Sequence, residues 1–362
     1  MTRLDDAELL ALHREIVATP SVSGEEGRLA DHLAALLDAR GLAVDRIGDS
    51  LLATVGEGPL VLLDSHIDTV PPSSGWSRDP FSATVVAGRV FGLGSNDAKA
   101  SVAAMIAAFL SLASGPPAGS IALALVAGEE TTSRGTSDVL DRLEETGREV
   151  AAAIFGEPTG LDLAVAQKGL LALELRARGT AAHAAHARAL GVANAVRILA
   201  RDLVALDSVD LGPEHPELGA TTVEPTVVRA GAARNVVPDE AIATLDVRTT
   251  PALAASEVVA RLRAAVRSEL LVRSDRFAPR ETPTGSALLV AASQARPEAR
   301  RYGSATLSDW ALLPASTPGI KAGPGRSERS HTPDEFVFEE EILAGARFYE
   351  SLVRKLAEMP AS

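Results

Sequence analysis

The chain has 362 residues, 46% hydrophobic and 23% charged, with 35 Lys+Arg against 48 Asp+Glu and a formal net charge of −13. That balance argues against nucleic acid or an anionic membrane surface as the main partner, while local arginines could still hold a small anionic substrate. The absence of cysteine excludes disulfides and thiolate metal sites and makes a reducing cytoplasm the expected location.

The length suits two domains. The acidic amphipathic start, MTRLDDAELLALHREIV, lacks the apolar run of a signal peptide. The longest apolar stretch, around Val102–Leu112, falls short of the roughly 20 residues a membrane span needs. Leu4–Val17 and Glu25–Arg40 have helical spacing, the second closed by Gly41. Strand-like runs follow at Leu42–Val44, Leu51–Val55 and Leu60–Ser65, then an Ala-rich helix over Ala98–Leu112, apolar nearly all round and so buried. Ile121–Ala127 reads as a strand, Ser137–Glu145 as a helix and Val150–Phe155 as a strand. This alternation implies an α/β domain with a mixed, largely parallel sheet flanked by helices.

Beyond Gln167 the texture changes. Leu170–Arg178 alternates apolar and polar residues, as do Thr221–Arg229 and Ala241–Arg248, while Val192–Leu206 and Ser256–Leu271 have helical patterns. Residues 168–280 therefore read as a separate α+β unit with an antiparallel sheet. Ala287–Ala295, Ile320–Ala322 and Phe338–Lys355 return to elements compatible with the first layer.

Several stretches set a histidine or carboxylate where a strand ends, the edge at which open α/β sheets gather ligands. In LLDSHIDTVPP, His66 and Asp68 share one side of an extended chain. That spacing suits a metal-binding imidazole steadied by a carboxylate, and equally a hydrogen-bonded turn. In FGLGSNDAKAS, Asp97 precedes the buried helix, where the helix dipole alone would favour it. Its GLG lacks the rest of a dinucleotide fingerprint. Glu129 and Glu130 follow the strand 121–127, Glu157 follows the strand 150–155, and His331 lies in the Gly/Pro-rich GPGRSERSHTPDEF.

Taken together, His66 and His331 with Asp97, Glu130 and Glu157 can serve two divalent ions, one carboxylate bridging. Nitrogen and oxygen donors without sulfur suit zinc, cobalt or manganese. Ions roughly 3.5–4 Å apart lower the pKa of a water between them and stabilise the oxyanion of a hydrolysed carbonyl. Neighbouring glutamates cannot easily both face one metal, so Glu130 is expected to ligate and Glu129 to act as general base.

The motifs HIDTVPP, GLGSNDAKAS, the Glu–Glu pair, GEPT, GTAAHAAHA, NVVPDEA and GPGRSERSHTPDEF come in the order seen in a known family. The chain resembles the co-catalytic zinc aminoacylase/carboxypeptidase family, which includes acetylornithine deacetylase and succinyl-diaminopimelate desuccinylase. The similarity runs from about residue 10 to 355. SNDAKAS, SATLSDWAL and GPGRSERSH make it closest to acetylornithine deacetylase-like members.

The resemblance implies that His66 and Glu157 bind one ion and Glu130 and His331 the other, with Asp97 bridging and Asp68 supporting His66. It implies a catalytic domain of 1–167 plus 281–362 and an inserted lid of 168–280 that pairs two chains into a homodimer. His183 in GTAAHAAHA, favoured over His186 by its distance from Gly179, matches the lid histidine that helps polarise the scissile carbonyl, often across the dimer. Asn235 and Arg248 match lid positions associated with substrate binding. Around His331, Gly323 is a further substrate-binding candidate, and Arg326 or Arg329 either pairs with a substrate carboxylate or is plain surface charge.

The implied activity is removal of an acetyl or succinyl group from the α-nitrogen of an amino acid, foremost N-acetylornithine or an arginine-pathway relative. Alternatives are succinyl-diaminopimelate desuccinylase, a dipeptidase or carboxypeptidase, and an inactive binding or dimerisation module. Two departures bear on the substrate: Gly92-Leu93-Gly94 stands for the usual Gly-Arg-Gly, and Ala100-Ser101 for Gly-Gly.

Overall fold

The computed structural model describes residues 3–359, so 1–2 and 360–362, the ends of the expected catalytic domain, lie outside the described residues. The chain divides into two compact units. The first runs up to Val165 and includes Thr282–Tyr302 and the chain from Ser308 onward; the second comprises Ala166–Glu281 and Gly303–Leu307.

The first unit is built on a mixed sheet. The strands Ser120–Val126, Leu60–His66, Val150–Phe155 and Gly319–Lys321 lie parallel in that order. Ser50–Gly56 and Val44–Ile47 extend one side antiparallel. Both faces of the parallel strands are covered, which is why they read as largely apolar runs, with polar residues gathered at their ends. Along Ser120–Val126, Ile121, Leu123 and Leu125 enter one core while Ala122, Ala124 and Val126 enter the other. The first core is closed by the helices Asp6–Ala18, Gly27–Asp38, Lys99–Ser114, Ala287–Ala295 and Glu339–Ala357. The second is closed by Arg134–Glu145 and Trp310. Each fully buried Leu or Ile in these layers contributes about 1.5–3 kcal/mol relative to exposure. Asp5 and Glu8 close the first helix with a capping box, the backbone N–H of Glu8 donating to Asp5 at 2.8 Å and that of Asp5 to Glu8 at 2.9 Å.

A three-stranded sheet not foreseen from the sequence joins Thr84–Val86, Arg89–Phe91 and Phe336–Phe338, with Phe336 opposite Phe91. Its strands are too short to carry a periodic signal.

The second unit is an antiparallel sheet ordered Thr222–Ala230, Glu240–Thr249, Gly169–Arg178, Glu269–Phe277, packed against the helices Ala195–Leu206 and Ala255–Ala265. The expected helix Ser256–Leu271 is corrected: it stops at Ala265, and residues from Glu269 form a strand instead. The cause is Asp202. Its carboxylate, buried on the helix Ala195–Leu206, accepts the N–H groups of Arg267 at 3.0 Å and Ser268 at 2.8 Å, pulling the chain out of helical geometry. The two ends of the segment assigned to this unit meet in the first one, where the Thr282 N–H donates to the carbonyl of Val165 at 2.9 Å. Among the described residues, no helix is long and apolar enough to cross a membrane.

Candidate metal centre

Because the four parallel strands of the first unit point the same way, their carboxyl ends share one edge. His66 is the last residue of its strand; Glu129 and Glu130 follow Val126; Glu157 follows Phe155; the 323–331 loop follows Lys321. Asp97 comes to the same edge just ahead of the helix Lys99–Ser114.

His66, Asp97 and Glu130 each offer a donor atom, all within 4.8 Å of one another. His66 Nε2 lies 3.2 Å from Asp97 Oδ1, and His331 Nε2 lies 2.9 Å from Glu130 Oε1 and 3.8 Å from Asp97 Oδ2. The two oxygens of Asp97 thus face two different imidazoles. Each imidazole presents Nε2 to a carboxylate, the pairing of donors that a divalent ion takes, so the residues fit such a group. Glu157 stands close enough to Asp97 for their charges to repel; burial and that repulsion push its carboxyl up to about 8. Lys321, fully buried and with its own pKa lowered by burial, offsets part of this negative charge.

Asp68 supports the centre from two directions. The His66 ring Nδ1 donates to the Asp68 main-chain carbonyl at 3.0 Å, with the Asp68 carboxylate 3.6 Å away. That carboxylate also accepts the Ser23 hydroxyl at 2.7 Å and the backbone N–H groups of Glu129 at 3.1 Å and Glu130 at 3.2 Å. A single acid therefore orients the imidazole and fixes the glutamate turn.

Glu129 has its carboxyl pushed well above the usual range by burial and then by Asp309. Sequence reasoning did not single out Asp309. It is buried, and its Oδ2 lies 2.5 Å from the Thr136 hydroxyl, which is also 3.3 Å from Asp64. Its only signal was an acid within the SATLSDWAL stretch.

The substrate candidates are placed unequally. Arg329 is committed elsewhere: its guanidinium forms a two-pronged bond to Glu341 at 2.6 and 3.2 Å and stacks on Phe336 and Phe338. Arg326 is exposed, its guanidinium over Gly160. Gly323 is buried, with its N–H donating to Thr159 Oγ1 and its carbonyl accepting from Leu161, so neither group is left for a ligand. A Cβ there would lie 2.4 Å from Ser101 Oγ and 2.6 Å from the Glu157 carbonyl, so glycine lets this loop pass directly behind Glu157.

His183, Asn235 and Arg248 belong to the second unit. His183 is exposed on the short ribbon Ala182–His183, paired with Val236–Val237, and its Nδ1 accepts from Ala185 N–H at 3.2 Å. The Asn235 carbonyl accepts from Ala184 at 2.8 Å, which keeps the two residues together. Arg248 is paired two-pronged with Asp246 at 2.7 and 3.0 Å.

The charges give a signed prediction. Its hydrogen bond to Glu130 lifts His331 from 6.5 to about 9, and burial lifts Glu157 from 4.5 to about 8. Both folded pKa values exceed the unfolded ones, so each group contributes stability present below the unfolded pKa and lost as pH rises through the folded pKa. Metal-free protein is therefore expected to lose thermal stability between about pH 6 and about pH 9, and added zinc or cobalt to raise the melting temperature more at about pH 8 than at about pH 6. Thermal melts across this range check it; a metal shift independent of pH would contradict it.

Comparison with known proteins supplies the context. The profile of Peptidase family M20/M25/M40 matches residues 62–355. A probable carboxypeptidase of Aspergillus oryzae is 36% identical, the match covering 68% of this chain and 64%, under two thirds, of the fungal protein. A succinyl-diaminopimelate desuccinylase of Rhodospirillum centenum is 32% identical over 66% of this chain and 67% of its own length. Among solved structures, an M20 family metallo-carboxypeptidase from Sulfolobus solfataricus superposes with a TM-score of 0.77 at 19% identity, covering 98% of this chain and 100% of that one, a likeness of fold.

Proposed function

From the premise that the chain belongs to peptidase family M20/M25/M40, matched over residues 62–355, we propose that it is a dinuclear metal-dependent amide hydrolase. Its substrate is an amino acid carrying a short acyl group, acetyl or succinyl, on the α-nitrogen, with ornithine or an arginine-pathway relative such as citrulline foremost. The observation that carries the reading is the convergence of His66, Asp97 and Glu130 donor atoms within 4.8 Å, brought to one edge from two strand ends and the start of a helix.

In this reading His66 and Glu157 would hold one ion and Glu130 and His331 the other, with Asp97 contributing to both. Bound there, a pair of zinc, cobalt or manganese ions supplies Lewis acidity toward water and the scissile carbonyl. The side chains do the rest. Glu129, made more basic by burial, takes a proton from the attacking water and returns it to the departing nitrogen. Asp68 holds Glu129 and Glu130 in place through their N–H groups. With Arg329 engaged by Glu341, recognition of the substrate carboxylate falls to Arg326.

In this reading the second unit is the inserted lid, and His183, Asn235 and Arg248 are its substrate-binding residues. A homodimer through it is supported by the strand Thr222–Ala230, the edge of that unit's sheet, where Val227 and Val228 are 42% and 56% exposed.

A carboxypeptidase or desuccinylase specificity is the second reading, favoured by what the Aspergillus and Rhodospirillum relatives are described as doing. Hydrolysis assays with zinc or cobalt on N-acetylornithine, N-acetylcitrulline, N-succinylornithine, N-succinyl-diaminopimelate and a set of dipeptides decide between them. Fastest turnover on an N-acetyl or N-succinyl α-amino acid of the ornithine group is the expected result. Preference for dipeptides or for diaminopimelate moves the assignment to the second reading. No hydrolysis of any, together with no ion retained after dialysis, refutes both.

A further inference from the structure

The loops that carry Asp97 and His331 grip each other through two buried side chains that the chemistry above leaves unused. The frame comes from the small sheet: Asp97 follows the strand Arg89–Phe91, His331 precedes the strand Phe336–Phe338, and these strands pair antiparallel. From the His331 side, Glu335, 2% exposed, reaches under the Asp97 loop. Its Oε1 accepts the N–H groups of Asn96 and Asp97, and its Oε2 that of Gly94, each at 2.9 Å. From the Asp97 side, Asn96, fully buried, reaches back. Its Oδ1 accepts the Arg326 N–H at 2.8 Å, and its Nδ2 donates to the Arg326 carbonyl at 3.1 Å and the Ser330 hydroxyl at 3.2 Å. Gly325 makes room for this: its φ is +83°, and a Cβ there would stand 2.3 Å from Asn96 Oδ1.

We propose that Asn96 and Glu335 are positioning residues with separate duties: Glu335 fixes the carboxylate shared by both ions, and Asn96 fixes the imidazole that serves only one. The inference rests on the two-ion reading. Its physical basis is that His331 has a left-handed backbone, φ +58°, and an exposed side chain whose ring meets Glu130 at 2.9 Å, so the loop's anchoring sets whether the backbone stands where that ring can reach the centre. The anchoring is supplied by Asn96 at Arg326 and Ser330. Asp97, by contrast, has its own N–H in the Glu335 cradle. An amide in place of that carboxylate turns a donor toward three converging N–H groups and releases at least one of them.

The test is a calorimetric titration of metal-stripped full-length protein with Zn(II) or Co(II), comparing wild type, Glu335→Gln and Asn96→Ala. His331→Ala identifies which binding step belongs to which ion. Glu335→Gln is expected to weaken both ions, and Asn96→Ala only the ion of Glu130 and His331, each by about 10–100-fold, the other ion in Asn96→Ala staying within about 3-fold of wild type. General loosening of the fold lowers the melting temperature without sorting the ions in this way. Wild-type affinity for both ions in either variant, or equal weakening of both by Asn96→Ala, overturns the proposal. Should Glu335→Gln fail to fold, Asn96→Ala decides alone, since it removes only one amide. Wild-type protein that binds no second ion refutes the two-ion reading itself, a distinct result.

Discussion

Glu129→Gln is expected to cut turnover about 100- to 10,000-fold while both ions bind as in wild type. The substitution keeps the shape of the side chain and the backbone N–H that donates to Asp68 at 3.1 Å, so the glutamate turn and the neighbouring Glu130 keep their places. What is lost is a carboxylate able to accept and release a proton. Burial and the nearby Asp309 push the Glu129 pKa well above the usual range, so its carboxylate holds a proton more tightly than an exposed glutamate does. The measurement is kcat alongside bound metal; more than a few per cent of wild-type turnover, or loss of an ion, removes Glu129 from the role.

Asp97→Asn is expected to reduce binding of both ions below detection in dialysed protein, and turnover with it. Its Oδ1 stands 3.2 Å from His66 Nε2 and its Oδ2 3.8 Å from His331 Nε2, so one carboxylate faces both imidazoles. An amide offers one weakly donating oxygen and no charge. The loss should exceed the roughly 10–100-fold cost of removing a group that merely supports a ligand. His331→Ala is the control, expected to lose a single ion. Metal analysis after dialysis reads all three proteins, and two ions retained in Asp97→Asn would sink the bridging assignment.

The layers of the first unit were legible because they obey local rules. Residues 121–126 and 60–63 are apolar without interruption, since both faces are covered, and the helix Lys99–Ser114 is apolar nearly all round for the same reason. The α/β class with a separate antiparallel sheet follows from those patterns and from the alternation in Gly169–Arg178. Where a distant side chain decides, the sequence is silent. Nothing near Ala265 announces that Asp202 will seize the N–H groups of Arg267 and Ser268 and turn a helix into a strand. The convergence of His66, Asp97 and Glu130 could be anticipated because each follows a strand or opens a helix. Glu335 and Asn96 could not, because their partners, the Ser330 hydroxyl apart, are main-chain groups, which carry no residue pattern. The commitment of Arg329 to Glu341 and the interior position of Gly323 were equally invisible in composition and spacing.

Val165 and Thr282 are joined by one hydrogen bond, so the long segment between them leaves and returns at adjacent points. Closing a longer or shorter excursion between fixed ends changes the entropy only slowly with length. Inside the pairing of Ala166 with Glu281 and Gln167 with Arg280, that stretch can accordingly be lengthened or trimmed while the strands ending at His66, Val126 and Phe155 stay paired. Descendants of such a chain can exchange the excursion while inheriting the same paired strands.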